Sequence, residues 1–149
     1  MDLAVANHVD KAIPGGKVFG ARYRVSRLLK SCNGVDTLLG TDLILDRAVV
    51  IKTAHDKSLS VGAHMRLEHE AGVLRQIRNP LIAPLLDMGR EDDLFYLVMA
   101  YVPGMTLAER LAQGPLHIGD AITLGGLLMS ALQEIHEQGV LHRDLKPPM

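Results

Sequence analysis

Leu141-His142-Arg143-Asp144-Leu145-Lys146-Pro147 stands near the end of a chain of 149 residues, with an acid set among bases and bracketed by two leucines. What precedes it says what kind of segment it is. From Ile118 to about Gln138, Leu124, Leu127, Leu128, Ala131, Leu132 and Ile135 fall on one stripe at helical spacing, and Gly139 suits the position just past a helix end. The charged run is therefore the polar segment that leaves a long helix. Further back, Thr106 and Glu109 make a capping box for a shorter helix to about Gln113, and Pro103-Gly104 breaks the chain before it. Upstream the pattern changes to strands, at about Tyr23–Leu29, Asp36–Thr41, Ala48–Thr53, Leu85–Met88 and Leu94–Tyr101. Asn33-Gly34 marks a hairpin turn between the first two, and Gly89 to Asp93 a polar turn between the last two. One helix, about Val61 to Arg78, interrupts the strands and is stopped by Pro80. Residues 1–20 lack a sustained period, contain Pro14-Gly15-Gly16, and read as an extension or loop. The order β-β-β-α-β-β, break, α-α, polar tail is that of an α+β fold.

Composition narrows the function. A formal net charge of −1 argues against a dedicated nucleic-acid binder, and 3% aromatic residues leave few platforms for stacking bases. With 48% hydrophobic residues the chain has the material for a core. The single cysteine, Cys32, forbids an internal disulfide and fits a reducing compartment. The longest uncharged run, Ala121 to Gln133, falls short of the roughly 20 apolar residues that span a bilayer, and Asp2 and Asp10 stand where a signal peptide needs a basic flank and an apolar core. The expectation is a soluble, cytoplasmic chain with neither nucleic-acid nor membrane partner.

Four charged residues carry the chemistry. Lys52 closes the β-branched strand Val49-Val50-Ile51, where a lysine ordinarily lays its stem along apolar surface. Glu70 lies three residues after Leu67 and four before Leu74, so helical geometry puts its carboxylate on the buried stripe, where it needs a cation. Lys52, on the strand just before, is the natural partner, in a structural ion pair or in one that presents the lysine to a phosphate. His142-Arg143-Asp144, with Lys146 two residues on, then completes a strand lysine, a helix glutamate and a catalytic-loop signature in the order and on the elements that phosphoryl transfer uses.

On these residues the sequence resembles the protein kinase family, and specifically the bacterial serine/threonine kinases of eukaryotic type, from about Tyr23 to Pro147. Tyr23-Arg24-Val25 through Leu28-Leu29 is similar to the first strand of that family, Glu70-Ala71 to its helix glutamate, and Tyr96-Leu97-Val98-Met99-Ala100-Tyr101-Val102 to its hinge strand, with Met99 at the gatekeeper place. His136-Glu137-Gln138-Gly139-Val140-Leu141 is similar to the approach to its catalytic loop. The resemblance implies a small lobe at 21–101, made of a five-stranded antiparallel sheet and one helix, then the hinge and the first large-lobe helices at 102–149, with 1–20 as an N-terminal extension. It implies ATP as cofactor and a protein hydroxyl as phosphoryl acceptor. Leu29 and Val50 would lie against the adenine, Met99 beside it, and the backbone of Ala100 and Val102 at its edge. Lys52, held by Glu70, would bind the α- and β-phosphates. Asp144 would accept the proton of the substrate hydroxyl, and Lys146 would stabilise the transferring group.

The sequence departs from the family at two places. The three loop glycines of the family fall at Lys30, Cys32 and Val35, and the following valine at Thr37, so Gly34 is the only glycine in the loop and Lys30 is left to supply charge. The metal-binding asparagine falls at Met149, and no Asp-Phe-Gly follows, so Mg is expected for a complete domain but no metal ligand is assigned here. The expectation is a domain truncated within its catalytic loop, with little or no activity alone. The stretch from 118 to 138 is expected to be loosely held or self-associating through Leu124, Leu127, Leu128, Leu132 and Ile135. The alternative is a catalytically dead nucleotide-binding or scaffold module. Other motifs read as structural. Asp87-Met88-Gly89 imitates the metal tripeptide but precedes the hinge, Gly15-Gly16-Lys17-Val18 lacks the residues of a phosphate loop, and His64, His69 and His136-Glu137 lack metal-site spacing.

Overall fold

A computed structural model describes residues 11–12, 16–32, 35–55, 61–140 and 145. The elements run β1 (Lys11–Ala12), β2 (Val18–Phe19), β3 (Tyr23–Cys32), β4 (Val35–Asp42), β5 (Arg47–His55), α1 (Val61–Leu74), β6 (Leu85–Glu91), β7 (Leu94–Ala100), α2 (Leu107–Ala112) and α3 (Ile118–Glu137). All strands join one antiparallel sheet in the order β1-β3-β4-β5-β7-β6, with β2 also against β3. The five long strands are those the alternation predicts, most of them longer at their ends.

The period of two decides the faces. On β5, Val49, Ile51 and Thr53 are buried, whereas Val50 is half-buried and Lys52 is exposed. Val49 and Ile51 join Val25, Leu38 and Val98 from neighbouring strands, and Phe19, Tyr23 and Tyr96 complete the cluster. Each such burial stabilises by roughly 1.5–3 kcal/mol. Phe19 corrects the reading of the first twenty residues. Val18–Phe19 pairs with β3, and the Phe19 ring sits 5.1 Å from that of Tyr96. Lys17 bridges to Asp92 at 2.9 Å, and the Gly20 amide donates to Glu91 at 2.8 Å, so this segment is tied to the β6–β7 turn across the sheet. A two-residue element shows no period, which is why pattern alone reads it as loop.

The β6–β7 turn is also tighter than its sequence suggests. Pairing continues to Glu91 opposite Leu94, and Asp92 and Asp93 take φ of +50° and +60°, the left-handed pair of a two-residue hairpin turn. Helix α1 ends at Leu74 rather than near Arg78. Its last turn tightens through Gln76 N–H to Val73 O and Ile77 N–H to Leu74 O, which turns Ile77 into a second cluster with Ile135 and Val140. That cluster joins α3 to the end of α1. The Thr106–Glu109 capping box forms as predicted, and Gly139, at φ +77°, ends α3 in the left-handed region where a side chain is disfavoured.

Candidate nucleotide site

Register brings most of the predicted binding residues to one face. Lys52 on β5 lies opposite Thr37 on β4 and Leu97 on β7, and Thr37 lies opposite Lys30 on β3. The next rung holds Val50 between Leu39 and Met99. Directly opposed residues point the same way, so Lys30, Thr37, Val50, Lys52 and Met99 share the face turned away from the core cluster. A bulge between Leu28 and Lys30 leaves Leu29 as the extra residue of β3, so Leu29 and Lys30 together face Thr37. The result is amphipathic: half-buried Val50 and Met99 on one rung, the exposed ammonium of Lys52 on the next.

The hinge side is set by backbone. The Ala100 amide donates to Pro84 O at 3.0 Å and the Tyr101 amide to Ala48 O at 3.4 Å, so the chain is held between β5 and the start of β6 as β7 ends. Val102 follows in an exposed stretch before Pro103-Gly104. Glu70 lies on α1, one residue before buried Ala71, and its side chain lies outside the described residues. The helix itself is fastened to the sheet through Arg90, whose guanidinium meets Glu68 at 3.0 Å. Gly34, Asp144 and Lys146 also lie outside the described residues. Val140 is buried against Ile77 and Ile135.

Asp87 is structural, as expected. Its carboxylate accepts from the Tyr23 hydroxyl at 3.0 Å and from the Met88 amide at 2.9 Å. Burial first, and this hydrogen bond second, push the Tyr23 phenol up to about 12. Among the described residues no group of three or more His, Cys, Asp or Glu side chains converges as a metal site. An adenine nucleotide does fit the face, because apolar Val50 and Met99 suit a base and Lys52 a phosphate.

One buried acid belongs to no motif in the sequence. Asp42 is fully buried at the end of β4. It takes two bonds from Arg22, both 2.8 Å, lies 3.6 Å from Arg47, and accepts the amides of Ile44 and Leu45. The Arg22 bonds, outweighing burial, hold its carboxyl down at about 2. The acid caps the β4–β5 turn and ties it to the start of β3. An aspartate just before a turn is the available signal for such a cap.

Fold and site together define a protein-kinase small lobe leading into the first helices of a large lobe. Residues 38–148 match the protein kinase domain family, and the chain belongs to that family. It is 37% identical over 134 residues to the serine/threonine-protein kinase PrkC of Bacillus subtilis, a match covering 89% of this chain and 21% of PrkC. To the serine/threonine-protein kinase pkn2 of Myxococcus xanthus it is 36% identical over 135 residues, covering 90% and 16%. The chain thus spans about a fifth of the length of these curated relatives. The Mycobacterium tuberculosis PknI kinase domain shares the fold with a TM-score of 0.77 at 23% identity, over 92% of this chain and 56% of that one. Rad53, solved in complex with AMP-PNP, aligns with a TM-score of 0.75 at 19% identity, over 85% and 33%. No described helix is long and apolar enough to cross a membrane.

Proposed function

We propose that this chain is the ATP-binding part of a cytoplasmic serine/threonine protein kinase, whose complete domain transfers the γ-phosphoryl group of ATP to protein hydroxyls. The observation that carries the reading is the shared face of Val50, Lys52 and Met99 beside the hinge, in a chain that continues to His142-Arg143-Asp144. ATP supplies the group to be transferred. Leu29, Val50 and Met99 hold its base, the backbone of Ala100 and Val102 binds the base edge, and Thr37 and Gly34 complete the nucleotide-binding set. Lys52, oriented by Glu70, neutralises the α- and β-phosphates. Asp144 takes the proton of the attacking hydroxyl, and Lys146 stabilises charge on the moving group. Positioning and electrostatics supply most of the acceleration in this reaction, which is why four charged side chains suffice to describe it. Alone, the chain is inactive in this reading, and the exposed apolar residues of α3 favour self-association.

The test is ATP binding by the chain, followed by calorimetry. The native sequence is expected to bind and Lys52→Ala to lose at least about tenfold in affinity, the scale of one charge-assisted bond. Absence of any ATP binding, with or without Mg, overturns the reading in favour of a pure interaction module. In a chain carrying the rest of the domain, Asp144→Asn is expected to abolish phosphorylation of protein serine or threonine. ATP binding with no transfer by that longer chain overturns the enzyme and leaves a nucleotide-binding scaffold.

A further inference from the structure

We propose that Lys30 is a second phosphate-binding residue, so that the nucleotide is gripped by two lysine side chains on one rung of the sheet, Lys30 and Lys52, with Thr37 between them. The inference rests on the nucleotide reading above and adds to it the group that does the work of the missing loop glycines.

Three observations carry it. Lys30, Thr37 and Lys52 are direct cross-strand partners on three adjacent strands, so their side chains leave the same face. Two strand spacings put the lysine Cα atoms about 10 Å apart, a gap that two four-carbon stems can close onto one polyanion. Both lysines are exposed, and among the described residues Lys30 meets no carboxylate. Asp36, the acid nearest on the adjacent strand, points to the opposite face and accepts from Ser31 at 2.5 Å, so it leaves the charge at Lys30 unneutralised. Finally, the β3–β4 ladder continues to Cys32 opposite Val35. Backbone of the hairpin is drawn into strand pairing as far as Cys32 and Val35, so its amides are engaged across the ladder. Two cations and a hydroxyl on one rigid rung form a site for a di- or triphosphate, and they select for phosphate charge rather than for the base.

Titrating ATP and adenosine separately into the chain, into Lys30→Ala and into Lys30→Arg, in buffer containing a chelator, tests this. Lys30 is exposed in a strand, so neither variant removes core. Lys30→Ala is expected to weaken ATP by about tenfold while leaving adenosine unchanged, and Lys30→Arg to retain most of the ATP affinity. Raising the salt concentration should weaken ATP binding more steeply in the native chain than in Lys30→Ala. Equal ATP affinity in native chain and Lys30→Ala overturns the role of Lys30 and leaves the nucleotide site standing. An equal fall for ATP and adenosine also overturns it, by assigning the effect to structure. Failure of the native chain to bind either ligand removes both proposals.

Discussion

The sheet and helix α3 are built from equally apolar sequence, yet they bury it to very different degrees. In the sheet, Val49, Ile51 and Val98 are wholly excluded from solvent, and even the short N-terminal strand contributes Phe19 to the interior. In α3, only Ala131 and Ile135 of twenty residues are buried, while Ile118, Ile122 and Met129 are at least 70% exposed. Among the described residues the helix is held chiefly at its C-terminal end, by Ile135 against Ile77 and Val140 and by Asn79 donating to Glu134. The lesson is that amphipathic periodicity establishes a helix and its apolar stripe but does not supply the surface that covers the stripe. A sheet that folds back on its own strands supplies that surface itself.

The contrast can be broken most sharply at Asp42. Asp42→Ala removes the acceptor of two Arg22 bonds and of two turn amides, and is expected to cost about 4 kcal/mol, read from the midpoint of urea unfolding. A loss below about 1 kcal/mol would mean that the strand ends hold without this acid. The same residue sets an acid limb. Its folded pKa of about 2 lies below its ordinary value of 3.8, so its stabilisation is fully present above the latter and disappears as pH falls through the former. The native chain should therefore lose stability between about pH 4 and pH 2, and Asp42→Ala should show a flatter profile there.

Next in size is Phe19→Ala. It empties a buried ring site against Tyr96 and is expected to cost about 3 kcal/mol. A near-neutral result would return residues 16–20 to the status of a detachable extension. The smallest effect belongs to α3, where Ile122→Ala should change stability by less than about 0.5 kcal/mol, because the side chain already faces water. Amide exchange should be faster over residues 118–128 than over β5. Equal protection of the two in a monomer would show that α3 is covered after all.

Local chemistry made much of this fold legible. The alternation of Val49, Ile51 and Thr53 with Val50 and Lys52 dictates which side of β5 faces the core, and Thr106 with Glu109 dictates where α2 begins. Strand ends were less legible, because pairing extends wherever a partner is available, as at Glu91 and His55. The short strands β1 and β2 carried no period at all, and their place depends on the free edge of β3. The network around Asp42 was invisible for a similar reason, since Arg22 and Asp42 are twenty residues apart and meet only because β3 and β4 pair in that register.

The order of the five long strands and three helices and the family membership were contained in the linear sequence, because each depends on neighbours a few positions away. Only the tertiary structure decided that Lys30 stands on the rung of Lys52, that Phe19 belongs to the core and that Asp42 gathers two arginines. Those facts depend on which strands lie side by side, and cross-strand register is fixed by the packing of the whole sheet rather than by any segment within it.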